Sequence, residues 1–393
     1  MAGLADRLRG WVTQAPSRSR TRRFDGTGTP RVLLLNATEA VAADLEDVFA
    51  EAIPTATLIA PGITAGGAGK QPAEPTRRAG LRWLEELSPS LVVWFGALGP
   101  DPLLTALVEA DCPAIAVDVP GVSSVDSRSP AFRRSIREAL GHFGVTCAHD
   151  ANAVRRLRAL APTGARIEAL GHVRPIFAPP GCRDGERDAL AQALRSRPVW
   201  LAAYPGMQEM PAILAAHRAA LRGAHRLLLI VATDSEAAGS ALAADLRAEG
   251  WQVARRGAEA EPDDTVEIFV ADAPEEIGLW YRLAPTTFLG GTLAGPAAQD
   301  VAGPAALGSA LIAGPRGGNP TTAETALFAR LRDGGGLRSV SDADGLALAV
   351  ADLLSPDKAA AHAHAAWDVI SDSARVLERI AAEVRVGLRA VPD

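Results

Sequence analysis

The sequence has few cysteines, few aromatics, no basic surplus and no long apolar run. Its three cysteines, Cys112, Cys147 and Cys182, are scattered over 393 residues. An odd number without C-x-x-C or Cys/His spacing indicates neither a disulfide framework nor a zinc site. A reducing cytoplasm is the simplest setting for such a chain. The net charge of −6 argues against a general nucleic-acid binder, which usually carries a basic excess. No stretch approaches the roughly 18 apolar residues that suggest a membrane span. The sequence also has no G-x-S-x-G elbow, no H-E-x-x-H and no D-x-D cluster, so hydrolase and metal-dependent readings have little support. Aromatics make up 5% and apolar residues 48%, much of that alanine, against 22% charged, an ordinary globular balance. The length exceeds one ordinary core and favours two domains.

Apolar runs and helical patterns alternate along most of the chain. "RVLLLNAT" (31–38) reads as a buried strand and "EAVAADLEDVFAEAI" (39–53) as the helix after it. Strands at 55–62, 91–97, 113–121 and 166–173 continue the series, with helices at 75–88, 101–112, 130–143 and 150–160. The Pro- and Gly-rich stretch 174–188 reads as a linker. The pattern then restarts with strands at 197–204, 226–233, 251–256, 265–272, 285–291 and 309–315. Short apolar runs separated by helices signal parallel sheets covered on both faces.

The expected fold class is therefore α/β, with two Rossmann-like doubly wound lobes facing a cleft, the GT-B layout, and C-terminal helices. The expected divisions are a tail at 1–29, a first lobe at 30–175, a linker at 176–190, a second lobe at 191–340 and helices at 341–393. Ligands of open α/β sheets sit beyond the carboxyl ends of the strands. The productive loops are then 36–40, 62–75, 97–102, 204–210, 232–237, 272–277 and 290–304. Sugar epimerases and periplasmic-type binding proteins share this layout, so it does not choose a function.

Two motifs resemble sites without meeting their requirements. "GGAGKQ" (66–71) has Thr64 and Gln71 where a P-loop needs Gly and Ser or Thr. "HAHAAW" (362–367) puts two histidines on different faces of the expected helix. The opening segment places Leu4, Leu8, Trp11 and Val12 at helical spacing beside Arg7, Arg9, Arg18, Arg20, Arg22 and Arg23. It has no apolar core of a signal peptide. It reads equally as an amphipathic anchor for an anionic membrane face and as a disordered basic tail.

"FLGGTLAGPAAQDVAGPAALGSALIAGP" (288–315) runs from a strand through a Gly/Pro-rich turn into a short helix and a second strand. This is where an α/β sheet presents a ligand, yet its only polar side chains are Thr292, Gln299, Asp300 and Ser309.

Several segments, in order, resemble the 3-deoxy-D-manno-octulosonic acid (Kdo) transferase family. "RPVWLAAYPGMQEMPAILAAH" (197–217) is similar to R-P-V-W-L-A-A-S-T-H-x-G-E-E-x, and "RLLLIVATDSE" (226–236) to L-L-L-I-V-P-R-H-P-E-R. "DAPEEIGLWYRLAPTTFLGG" (272–291) resembles T-M-G-E-L-x-x-L-Y-x-x-A-D-x-A-F-V-G-G. "GGTLAGPAAQDVAGPAALG" (290–308) matches G-G-S-L-V-P-x-G-G-H-N-P-L-E-P-A-A-L-G without a gap. In the first half "LLLNATEAVAA" (33–43) aligns with H-A-x-S-x-G-E-V-x-A-A.

The resemblance implies a metal-independent transferase without cofactors. It would move Kdo from CMP-Kdo to a lipid A precursor in lipopolysaccharide core synthesis. Its partners would be the CMP-activated donor and the lipid acceptor, with no nucleic acid. Its place would be the cytoplasm, with peripheral contact at the inner face of the inner membrane. Glu39 falls on the family's proposed general base; it also suits a first-turn acid favoured by the helix dipole.

On the donor side the resemblance assigns Glu276, Gly290, Gly291, Gly303 and Arg316. Glu276 keeps the central Glu of G-E-L, and the two glycines keep the strand-end turn. The amides near Gly303 and the Arg316 guanidinium would stabilise the leaving phosphate, although Arg316 also fits a solvated loop. Departures cluster in these same motifs. Thr233 and Asp234 replace the family's Arg and His, Gly303 replaces a Glu, and Gly96 and Leu98 replace two acids in the first half. A catalytically silent paralogue that binds a nucleotide, a lipid precursor or a protein is therefore the alternative. A transferase for another nucleotide sugar is a third reading.

Overall fold

The computed structural model describes residues 29–60, 76–122, 129–194, 197–258, 262–295, 300–316 and 322–390. The basic start, the "GGAGKQ" loop and residues 296–299 of the Gly/Pro-rich loop lie outside them. The chain divides into two compact units. Of the described residues, one contains those from Thr29 to Ile176 together with those from Asp372 onward; the other contains those within Phe177–Ser371.

The first unit holds six parallel strands: β1 (Arg31–Leu35), β2 (Thr57–Ile59), β3 (Leu91–Phe95), β4 (Ala114–Val119), β5 (Thr146–Ala148) and β6 (Ile167–Ala169). Their order in the sheet is β2-β1-β3-β4-β5-β6. Alternation assigns the two faces. Leu33, Leu35, Val92 and Trp94 belong to one buried cluster, and Val32, Leu34, Leu91 and Val93 to another. Both sets are shielded from water, which explains why each strand reads as continuous apolar sequence.

The second unit holds seven strands: β7 (Val199–Ala203), β8 (Leu228–Ala232), β9 (Val253–Arg255), β10 (Ile268–Ala271), β11 (Thr286–Leu289), β12 (Ala310–Ala313) and β13 (Leu337–Ser339). Their order is β13-β12-β11-β7-β8-β10-β9, and all pairs are parallel. Trp200, Ala202, Leu229 and Val231 pack on one face; Val199, Leu201, Leu228 and Ile230 pack on the other. Each unit is thus a doubly wound α/β sheet, as the alternation in sequence implies.

A helix, Asp184–Leu194, begins inside the stretch read as a linker and runs past its end, and its Leu190 and Leu194 are buried with the second unit's core. The final helix, Pro356–Ala390, takes part in both units. Ala359 and Ala366 join cores of the second unit, whereas Val376, Leu377, Ile380 and Val384 complete one face of the first sheet. Buried Glu383 on that helix binds Arg166 through both oxygens, at 2.8 and 3.1 Å. Among the described residues no helix is long and apolar enough to cross a membrane.

Candidate functional site

Strand order reverses between β1 and β3 in the first sheet and between β7 and β11 in the second. These switch points are where open sheets leave a crevice beyond the strand ends. In the first unit β1 leads into Asn36, held at φ 63°, and then into Thr38. The Thr38 hydroxyl accepts from the Val41 amide at 3.4 Å and caps helix Glu39–Ala52. Glu39 is the first helical residue and is exposed at this switch point. Across the crevice β3 ends at Gly96, φ 87°, and Asp101 caps helix Pro102–Glu109 through the amides of Leu103 and Leu104. Leu98, at one of the two lost acid positions, is buried in the core, where a carboxylate would be costly.

The switch point of the second sheet is organised by Glu209, which the sequence reading does not single out. Its carboxylate is inaccessible to solvent and accepts four backbone amides. Oε2 takes Gly206 at 2.9 Å and Gly291 at 2.6 Å. Oε1 takes Leu293 at 2.7 Å and Ala294 at 3.1 Å. The acid thereby fastens the loop after β7 to the loop after β11. Its sequence signal is its place at the first Glu of the family-like G-E-E run.

Gly290 and Gly291 both belong to this fastening. A Cβ at Gly290 would lie 2.3 Å from the Tyr204 carbonyl oxygen, and Gly291 adopts φ 79°. Arg316 joins the same region through its backbone, donating its amide to the Thr292 carbonyl at 2.9 Å. Its side chain is exposed and pairs with no acid among the described residues.

Gly303 sits in a five-residue helix, Ala302–Ala306, and its amide donates to Asp300 Oδ1 at 2.8 Å. The amide expected to meet a phosphate already serves this chain's own carboxylate. A Cβ at Gly303 would stand 2.2 Å from Asp300 Oδ2 and 2.9 Å from Tyr281 Cε2. Asp300 and Tyr281 have therefore taken the space around the family's lost Glu. Burial first, and then the Asp300 charge, hold the Tyr281 hydroxyl well above its ordinary pKa. Burial, followed by the charges of Asp300 and Asp234, also pushes Tyr204 up to about 12.

Glu276 follows β10, and both its oxygens accept from Arg256, at 2.8 and 3.1 Å. Arg256 also pairs with Glu186. Neighbouring Arg255 pairs with buried Asp272 at 2.6 Å and with Glu236 at 3.4 Å. Both arginines at this end of β9 are thus neutralised. Thr233, at the family's lost Arg position, donates to the Ser235 carbonyl at 3.0 Å. The structure groups Gly290, Gly291 and the Arg316 backbone with Glu209. It places Glu276 beyond β10 in an ion-pair cluster, and Glu39 in the other unit.

No protein-family model matches the chain. A 3-deoxy-D-manno-octulosonic acid transferase of Haemophilus influenzae is 27% identical over 188 residues, covering 47% of this chain and 43% of that protein. The chain is a divergent relative of the Kdo transferases. Its match spans less than half the length of that curated relative. Among solved structures, the C-terminal CMP-Kdo binding domain of WaaA from Acinetobacter baumannii aligns at 22% identity and TM-score 0.41, over 46% of this chain and 96% of that one. MurG of the same organism aligns at 13% identity and TM-score 0.46, over 91% and 99%. A UDP-GlcNAc 2-epimerase from Neisseria meningitidis aligns at 10% and 0.44, over 91% and 99%. For this Kdo-transferase relative, the two doubly wound sheets carry the fold assignment.

Proposed function

We propose that the chain is a glycosyltransferase of the Kdo transferase type, taking its sugar from CMP-Kdo and passing it to a hydroxyl of a lipid A precursor. The observation behind this reading is the exposed Glu39 carboxylate at the switch point of the first sheet, in the first turn of the helix that Thr38 caps. In the reaction the acceptor oxygen attacks the anomeric carbon, the bond to the CMP phosphate breaks, and Glu39 takes the hydroxyl proton. CMP departs with the bonding electron pair. Arg316 is the exposed cation nearest in sequence to the Gly-rich turn and is assigned to the phosphate. A lipid acceptor also gives the basic start a role at a membrane face.

A second reading, a silent paralogue, is favoured by the state of the donor side. Arg255 and Arg256 are paired with acids, and Glu209 and Asp300 already hold amides of the second crevice. Asp234 and Asp300 also stand near Tyr204, an unfavourable setting for phosphate. A re-tailored pocket for another nucleotide sugar is compatible with the same features.

Calorimetric titration with CMP and CTP tests the donor assignment. Saturable CMP binding weakened by Arg316→Ala or Glu276→Ala supports it, and Glu39→Ala should then abolish transfer while leaving CMP affinity unchanged. No heat at millimolar CMP overturns the cytidylyl-sugar reading in favour of the silent one.

A further inference from the structure

A second constellation lies at the carboxyl edge of the first sheet, away from the switch point. Asp118 lies near the end of β4, and His149 and His172 follow β5 and β6, the next two strands of the sheet. One ligand atom from each falls within 4.8 Å of the others. His149 Nε2 lies 2.8 Å from Asp118 Oδ1, and His172 Nδ1 lies 3.9 Å from the same oxygen. The two imidazole rings are 3.9 Å apart between centroids.

Three backbone features produce this convergence. The pairing of β4 with β5 runs from Ala116↔Thr146 to Val119↔Ala148, so β4 contains one extra residue. Such a bulge re-aims a side chain, and it falls at Asp118, which adopts φ 54°. A non-glycine residue held there is strained and persists only where its surroundings enforce it. The Val173 amide donates to Asp118 Oδ1 at 3.0 Å and fixes the carboxylate. Gly171, φ 104°, turns the chain just before His172.

His149 Nε2 is itself buried and makes no hydrogen bond among the described residues, although the Asp118 oxygen is so close. A ring nitrogen and a carboxylate oxygen in close approach without a hydrogen bond are disposed as two ligands of one ion would be. Metal–nitrogen and metal–oxygen bonds of about 2.1 Å place neighbouring ligand atoms roughly 3–3.5 Å apart. The 2.8 and 3.9 Å separations bracket that range. Side-chain exposures of 20% for His149, 29% for Asp118 and 47% for His172 leave an entry path. Asp150, the nearest acid in sequence, is committed to capping helix Ala151–Arg158 through the Ala153 amide at 2.7 Å.

We infer that Asp118, His149 and His172 bind a divalent first-row transition ion. Two imidazoles and one carboxylate form a borderline donor set suited to Zn²⁺, and leave at least one coordination position open. The sequence shows no metal spacing here because the three ligands are brought together by strand order, not by proximity in the chain. The site lies at the C-terminal ends of β4 to β6, whereas Glu39 follows β1. It stands independently of the glycosyl-transfer reading.

The test uses the full chain, freed of any affinity tag and stripped with chelator. Zn²⁺ is titrated calorimetrically, and Co²⁺ by its visible d–d absorption. The expected result is one equivalent bound, a Co²⁺ spectrum of four- or five-coordinate intensity, and a Zn²⁺-dependent rise in Tm. His172→Ala and Asp118→Asn should each weaken Zn²⁺ binding roughly tenfold or more. His172 is half-exposed, so its variant separates ligand loss from unfolding; circular dichroism of that variant checks this. Absence of saturable binding, or unchanged affinity and spectrum in His172→Ala, overturns the site.

Discussion

Glu209 Oε2 accepts the Gly291 amide at 2.6 Å across the point where the second sheet reverses its strand order. In an open α/β sheet such amides commonly face a ligand anion. Here one internal carboxylate answers four of them and links the loops after β7 and β11. Rigidity of the second crevice therefore does not depend on a bound ligand.

Glu209→Ala should cost about 3 kcal/mol or more, because amides buried in the loops lose an ionic acceptor. Glu209→Gln should cost less but remain clearly destabilising. One carboxamide oxygen can still accept two amides, while its NH2 faces the other two. Urea denaturation of the three proteins checks the order. A loss under about 1 kcal/mol for Glu209→Ala would mean that the loops find other partners.

His217 supplies a pH dependence with a definite sign. It is fully buried between the Trp200 indole N–H, which donates to Nδ1 at 3.2 Å, and the Glu267 carbonyl 3.1 Å from Nε2. Indole is a donor only, so Nδ1 accepts and Nε2 carries the proton. Burial pulls the imidazole down to about 4. The unfolded chain therefore binds this proton first as pH falls, near 6.5. Stability is full above that pH and is lost on descent toward 4, by up to about 3 kcal/mol from this group. His217→Phe should be less stable at neutral pH but should lose less on acidification. Urea midpoints at pH 7.5 and 4.5 for both proteins read the difference.

Much of the fold is legible in sequence because a strand buried on both faces must be apolar throughout. "RVLLLN", "LVVWFG" and "RLLLIVA" show this directly. The short strand Thr146–Ala148 is not legible, because it lies in no apolar run of four to eight residues. Helix Asp184–Leu194 is hidden among the prolines, glycines and charges of an apparent linker. At the site, Gly290 and Gly291 are readable because a strand-end turn with close backbone approach demands glycine. Gly303 is readable as the loss of an acid, but not as space filled by Asp300 and Tyr281. Glu209 resembles any loop acid until its four donors are seen.

The cysteines should differ sharply in reactivity. Burial raises the Cys112 thiol to about 11 and the Cys147 thiol to about 12, whereas Cys182 is only partly buried. The thiolate is the reacting species, so the first two should be inert at pH 8 in the folded protein. A disulfide-exchange reagent should label one thiol quickly in buffer and three in denaturant. Rapid labelling of Cys147 in the native protein would mean that β5 opens readily.

Restoring the family's acid at position 303 should not restore a family site. A Cβ there already stands 2.2 Å from Asp300 Oδ2, and the Asp300 carboxylate is held by the Gly303 amide. Gly303→Ala should therefore destabilise by about 1–3 kcal/mol through overpacking, and Gly303→Glu by more. Asp300→Ala removes the obstructing carboxylate at the cost of its hydrogen bond to the Gly303 amide, about 1 kcal/mol. The double variant Asp300→Ala/Gly303→Ala should then be more stable than the sum of the single losses predicts. A double-mutant cycle by urea denaturation measures that coupling. Strict additivity would mean that the two residues do not compete for the same space. The divergence at 303 would then be unrelated to the carboxylate beside it.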